Sequence, residues 1–152
     1  MNIRIRPYQE KDKPAVLHLL RKSTPRYFHP TEEDDLLIYL DEQLEDYFVA
    51  LIGDGIVGSG GINYFPSDYK ARISWDIIDT DFHGRGIGRL LVEQRLAVIQ
   101  KKADIKTAEV RTSQIAHGFY RKMGFGLDSV EKDYWAKGFD LYQMSIHFKE
   151  NR

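Results

Sequence analysis

Apolar residues recur along the chain at two spacings, every second position in some segments and every third or fourth in others, and the two kinds of segment alternate. Ile3 and Ile5 alternate with Asn2, Arg4 and Arg6, which predicts a strand with one buried face, closed by Pro7. A helix is expected from Asp12 to about Lys22, with Asp12 at the N-cap, Pro14 just inside, and Val16, Leu17, Leu19 and Leu20 as its stripe. Residues 23–30 hold two prolines and read as a loop. Thr31, ahead of Glu32, Glu33 and Asp34, places a capping hydroxyl and three acids at a second helix start. Leu36, Leu37, Leu40 and Leu44 carry that helix to about Asp46.

Residues 47–52, the Asp54-Gly55 pair and the segment from Ile56 onward predict a hairpin, because Asp-Gly supplies the positive φ of a tight primed turn. The next strand is expected at 71–79, where alternation sets Arg72, Ser74 and Asp76 on one face and Ile73, Trp75 and Ile77 on the other. A helix over 86–101 carries Ile87, Leu90, Leu91, Gln94, Ala97 and Val98 at helical spacing. A short strand at 107–111 precedes a helix over 113–123, stopped by Gly124. On that helix Ile115, Phe119 and Met123 share one stripe and are expected to face the core, leaving Tyr120 one position round with Ala116 a turn earlier. Strands at 126–132 and 139–148 close the chain. The order β-α-α-β-β-β-α-β-α-β-β predicts an α/β single domain over 1–152. Hairpins and helical crossovers both occur, so its central sheet of about seven strands must be mixed, flanked by about four helices.

Composition narrows the functional classes. The chain has 152 residues, enough for one core and too few for a second catalytic domain. Lys and Arg total 22 against 23 for Asp and Glu, so bulk charge gives no reason to expect nucleic acid or an anionic membrane as partner. Cysteine is absent, which excludes disulfides, thiolate metal sites and a cysteine nucleophile, and suits a reducing compartment. The five histidines lack metal-ligand spacing, so no metal is expected. The first residues lack a secretory apolar core, and no apolar run approaches the ~20 residues of a membrane span. The expected location is the cytoplasm.

Two glycine clusters invite a phosphate-binding reading. Gly53-Asp-Gly-Ile-Val-Gly58 fits the G-x-G-x-x-G spacing, but the residues after it continue as strand, whereas a dinucleotide fingerprint must open a helix. A hairpin turn and a closely packed strand account for those glycines. His83-Gly-Arg-Gly-Ile-Gly88 lies between a strand and a helix, the order the chemistry requires. Without Cβ atoms at 84, 86 and 88 a phosphate reaches the backbone N–H groups at the helix start, and Arg85 and Arg89 add charge.

His83-Gly-Arg-Gly-Ile-Gly88 resembles the [QR]-x-x-G-x-[GA] pyrophosphate loop of the GNAT superfamily of acyl-CoA-dependent N-acyltransferases. Ile77-Ile-Asp-Thr-Asp-Phe82 is similar to the strand end that precedes it in that family. Ser113-Gln-Ile-Ala-His-Gly-Phe-Tyr-Arg-Lys-Met-Gly-Phe125 resembles the family's N-x-x-A-x-x-[FL]-Y-x-x-x-G-F helix. The chain departs from the pattern at His83, where Gln or Arg is usual, at Thr80, where Pro is common, and at Ser113, where Asn is common. The resemblance covers nearly the whole chain.

The resemblance implies a GNAT-like fold and acetyl-CoA as co-substrate. Its binding would fall to Ile77 and Ile78 at the strand end, to the loop residues His83, Gly84, Arg85, Gly86, Ile87, Gly88 and Arg89, and to Ser113 and Tyr120. It implies direct attack of a primary amine, of a small molecule or a peptide, on the thioester, with Tyr120 as donor to the departing thiolate. For an acceptor with a lysine-like pKa, about one molecule in 2,500 is neutral at pH 7, a moderate cost of roughly 4.6 kcal/mol, so a modest base or a water chain can carry the proton. Many relatives carry a glutamate on the strand before the loop, at the position matched here by Ser74. Asp76 and Glu109 are therefore the two candidate bases, each with an alternative life as an ordinary paired acid. Two rival functions stand beside this one: a nucleotide-binding oxidoreductase using residues 53–58, and a non-catalytic acetyl-CoA-binding sensor or interaction domain. Dimerisation through an exposed strand is compatible with the pattern.

Overall fold

The computed structural model describes residues 2–149; Met1 and residues 150–152, the ends of the expected 1–152 domain, lie outside it. Its strands are β1 (Ile3–Pro7), β2 (Asp46–Ile52), β3 (Gly55–Phe65), β4 (Lys70–Ile78), β5 (Thr107–Thr112), β6 (Gly126–Ala136) and β7 (Phe139–His147). The helices are α1 (Lys13–Ser23), α2 (Glu32–Ile38), α3 (Ile87–Gln100) and α4 (His117–Lys122). One mixed sheet runs in the order β1-β2-β3-β4-β5-β7-β6, with β4 and β5 its parallel pair. A parallel pair needs a crossover, and α3 supplies it.

Two helical layers cover the sheet. Val16, Leu19 and Leu20 of α1 and Leu36 of α2 bury against Tyr47, Val49, Leu51 and Ile77. On the other face Val92 and Ile99 of α3 and Tyr120 of α4 pack with Ile62, Ile73, Val110 and Met144. Each fully buried Leu or Ile contributes about 1.5–3 kcal/mol, so these two apolar layers fix which sheet face each helix covers.

Several boundaries differ from the sequence expectation, each for a local reason. The second helix stops at Ile38 and continues as a π-turn, Tyr39–Gln43, before β2 begins. Asp12 does not cap α1 with its side chain; it accepts the Gln9 N–H at 2.8 Å and pairs with Arg6, closing the short turn before the helix. In the β2–β3 hairpin the positive φ falls on Gly53 (59°) rather than on the Asp-Gly pair, the pattern of a II′ turn. β6 runs on to Ala136, beyond the expected end at Lys132. Residues 55–65 are strand, so the first glycine cluster opens no helix. Among the described residues no helix is long and apolar enough to cross a membrane.

Candidate active site

The site forms where β4 and β5 part. Their ladder runs from Lys70↔Thr107 to Ile73↔Val110 and then ends, although both strands continue. A cavity of about 880 Å³ opens there, lined by Ser74, Trp75 and Asp76 of β4 and by Arg111 and Thr112 of β5.

A bulge in β4 sets what faces that cavity. Ser74 pairs with Gly61 and Ile77 with Ser59, so Trp75 and Asp76 together oppose Gly60. Trp75 adopts φ +50°, a left-handed conformation that costs a bulky residue about 1–3 kcal/mol. Packing holds it there: the Tyr47 hydroxyl donates to the Trp75 carbonyl at 2.9 Å, and the Trp75 ring stacks on Phe28 with centroids 6.2 Å apart. The extra residue reverses the strand's alternation. Trp75 packs in the α1 layer with Ile77, while Asp76 turns through to α3, which corrects the expected grouping of Asp76 with Arg72 and Ser74.

Asp76 meets two partners there. Its Oδ2 accepts the Tyr120 hydroxyl at 2.5 Å, and its Oδ1 lies 2.5 Å from Nη1 of Arg95 on α3. The Arg95 side chain is 0% exposed; its Nε donates to Leu91 O and its Nη1 to Gly61 O, each at 3.0 Å. The Oδ1–Nη1 contact is ionic without hydrogen-bond alignment, and Nη2 has no hydrogen-bond partner. Burial would lower the arginine pKa, but the Asp76 charge outweighs it and holds the guanidinium charged. Burial, and then the adjacent Asp76 carboxylate, raise the Tyr120 pKa well above 10, so the phenol keeps its proton. Gly60 makes the cluster possible, because a Cβ there would stand 2.6 Å from Asp76 Oδ1 and 2.8 Å from Arg95 Cζ.

Sequence reasoning missed Arg95, although a signal was present: Ile87, Leu91, Arg95 and Ile99 form an i, i+4 series whose other members are all core residues. The expected assignment within α4 also needs correction. Residues 113–116 form turns ahead of a helix that starts at His117, which rotates the stripe. Ile115 and Phe119 are exposed and border the cavity, while Tyr120 is buried.

The glycine loop succeeds β4 as expected. Gly84 and Gly86 have φ of 78° and 83°, and a Cβ at either would meet nothing within 4 Å, so conformation rather than space demands glycine. The first intrahelical bond of α3 runs from Leu90 N to Gly86 O, which leaves the preceding N–H groups directed out of the helix end. His83 Nε2 lies 3.0 Å from Ile78 O and fixes the loop to the strand. Loop and Tyr120 border the same cavity, so an elongated ligand with phosphates at one end can reach the Asp76 cluster with the other. These features fit the phosphates and pantetheine arm of a coenzyme A thioester.

The remaining candidates divide. Ile78 and Ser113 border the cavity, whereas Ile77 is in the α1 layer and Arg85 stacks over Phe82. Ser113 Oγ accepts Ile115 N at 3.2 Å, capping the turn before α4. The Ser74 hydroxyl donates to Asn63 Oδ1, which also accepts from Tyr39. Glu109 is 6% exposed and does not border the cavity; it accepts from Gln143 at 2.7 Å and lies 3.6 Å from Arg72. One loop packs over the cavity: Tyr27 lies on His83, Phe28 on Trp75 and His29 on Phe139.

Residues 43–126 match the acetyltransferase (GNAT) domain, and the chain belongs to that family of acyltransferases. It is 30% identical over 96 residues to an uncharacterized N-acetyltransferase of Chlorobaculum tepidum, covering 63% of this chain and 58% of that relative's length. The fold is that of ribosomal-protein-S18-alanine N-acetyltransferase from Escherichia coli, with TM-score 0.80, 18% identity and 99% of each chain covered. It is also that of the PaiA N-acetyltransferase of Thermoplasma acidophilum, solved in complex with coenzyme A, with TM-score 0.76 and 14% identity over 97% of this chain and 100% of that one.

Proposed function

We propose that this protein transfers the acetyl group of acetyl-CoA to a primary amine. The observation that carries the reading is one cavity bordered both by the glycine loop at the start of α3 and by Tyr120 with Asp76. Acetyl-CoA supplies the activated acyl group; the loop from His83 to Arg89 holds its phosphates, and Ile78, Ser113 and Phe119 border its arm. The amine nitrogen bonds to the acetyl carbon, the carbon–sulfur bond breaks, and one proton passes in net from nitrogen to sulfur.

Tyr120 is the donor to that sulfur. Its raised pKa keeps it protonated, and the hydroxyl that donates to Asp76 turns toward sulfur as the charge develops. Asp76 orients the phenol. Of the two candidate bases it is the one in the cavity, but its two oxygens are already taken up by Tyr120 and Arg95, so water on the acceptor side shares the proton removal. Glu109, outside the cavity and paired with Arg72 and Gln143, fits the part of an ordinary paired acid. A cysteine-free chain suits the cytoplasm, where this chemistry would run.

Calorimetric titration with acetyl-CoA, with dephospho-CoA and NAD as controls, and then thiol release over an amine panel, tests the reading. Tightest binding of acetyl-CoA with amine-dependent thiol release is the expected result. Binding without release to any amine points to the sensor alternative, and no binding by the folded protein overturns both.

A further inference from the structure

The cavity's β5 wall carries an arginine that the acetyl-transfer chemistry does not use. The Arg111 guanidinium carbon lies 5.0 Å from the ring centre of Tyr134 and 5.7 Å from that of Trp135. Trp135 is itself fixed by its Nε1 donating to Thr112 O at 3.1 Å. Arg111 is half-buried and borders the cavity, yet among the described residues no carboxylate lies within ion-pair distance of it.

The neighbouring charges do not neutralise it. Arg72, on the adjacent strand, is matched by Glu109, although its buried Nε makes no hydrogen bond. Arg95 is matched by Asp76, and Arg89 by Glu93. The other cavity carboxylates, Glu32 and Glu45, keep their charge but form no ion pair with Arg111; neutral N–H groups hold them, His29 N for Glu32 and Asn63 Nδ2 and Tyr64 N for Glu45. Arg111 is the excess charge of this wall. A guanidinium packed on rings is already ordered, and its N–H edge matches the two oxygens of a carboxylate or phosphate.

We infer that the acceptor is a primary amine that also carries an anionic group, and that Arg111 binds that group while the amine end lies toward Tyr120. The inference rests on the acetyl-transfer reading and names the substrate class of the same site. Arg72 borders the same cavity, but its Nε is buried and lies toward Glu109. The specificity belongs to Arg111, because Glu109 already balances Arg72.

The test uses matched acceptors in a thiol-release assay on the full chain: α-amino acids against their decarboxylated amines, 4-aminobutyrate against butylamine, and phosphoethanolamine against ethanolamine. The anionic member of at least one pair is expected to have a kcat/KM about tenfold or more above its neutral partner. The favoured pair tells carboxylate from phosphate. In Arg111→Met that ratio falls toward one, and Arg111→Lys restores part of it; circular dichroism melts verify that both variants fold. Equal or better use of the neutral members by the unaltered protein overturns the inference, as does a ratio that survives in Arg111→Met. Acetyl-CoA titration separates the two levels of failure. Tight acetyl-CoA binding with no transfer to any anionic amine sinks the acceptor class alone, while absence of acetyl-CoA binding sinks the transfer reading and this inference with it.

Discussion

Asp76 Oδ1 lies 2.5 Å from Arg95 Nη1 beneath Gly60, on the face of the sheet opposite to the one that simple alternation along β4 assigns to the carboxylate. Taking a guanidinium wholly out of water costs several kcal/mol, and a partner of opposite charge offsets that cost only while both are present. The pair is therefore sensitive to loss of either member.

Arg95→Met and Asp76→Asn are each expected to destabilise the protein by about 3–5 kcal/mol, because each strands the other group. The double variant should lose less than the sum. Urea unfolding of all four proteins measures the cycle, and additive losses would show that the two side chains do not act as a pair.

Gly60→Ala tests the same cluster from the backbone side. The new methyl would press on both Asp76 and Arg95, at a cost of about 1–3 kcal/mol. Turnover should fall with little change in acetyl-CoA affinity, since the glycine loop is untouched; unaltered stability and turnover would mean that the cluster relaxes freely.

Tyr120→Phe removes the hydroxyl and keeps the ring. We expect kcat to drop about a hundredfold while calorimetry gives nearly the same acetyl-CoA affinity. A variant with full turnover would remove Tyr120 from the chemistry.

Gly86→Ala forces a side chain into φ +83°, so the start of α3 must distort. Acetyl-CoA affinity is expected to weaken more than in His83→Ala, where the backbone donors stay in place. Comparable affinities for the two variants would argue against backbone recognition.

The Arg6–Asp12 pair gives an acid dependence with a definite sign. Arg6 holds the Asp12 carboxyl below the usual carboxylate range through a hydrogen bond, against the opposing effect of burial. A depressed pKa stabilises above the unfolded value of about 3.9 and loses its effect as pH falls through the lower folded value. Asp12→Asn should cost about 1–3 kcal/mol at neutral pH. Its melting temperature should converge on that of the unaltered protein below pH 4, and a gap independent of pH would contradict the account.

The strand and helix order was legible because the apolar periodicities are strong, as in Val16, Leu19 and Leu20 of α1, and because glycine punctuates the loop before α3. The glycine turn between β4 and α3 and the position of Tyr120 on α4 were legible because their motifs are local in sequence. The Asp76–Arg95 contact was not. A bulge is invisible to a period-two pattern, and a buried arginine looks like a surface residue until the carboxylate that neutralises it is placed across the sheet. Phe119 and Tyr120 exchanged their expected roles because the helix begins at His117 rather than near Ser113, a boundary set by the Ser113 turn.

The additional residue at Trp75 also acts as a phase marker for the whole chain. Counting along β4 in steps of two is valid up to Ser74 and again from Asp76, but not across the junction. An alignment of this strand that admits no gap would superpose Asp76 on a residue facing the opposite helical layer. Removing Trp75 alone would return the strand to strict alternation with Asp76 by itself opposite Gly60, so the carboxylate would keep its face toward Arg95 and Tyr120 while the α1 layer lost the ring that stacks on Phe28.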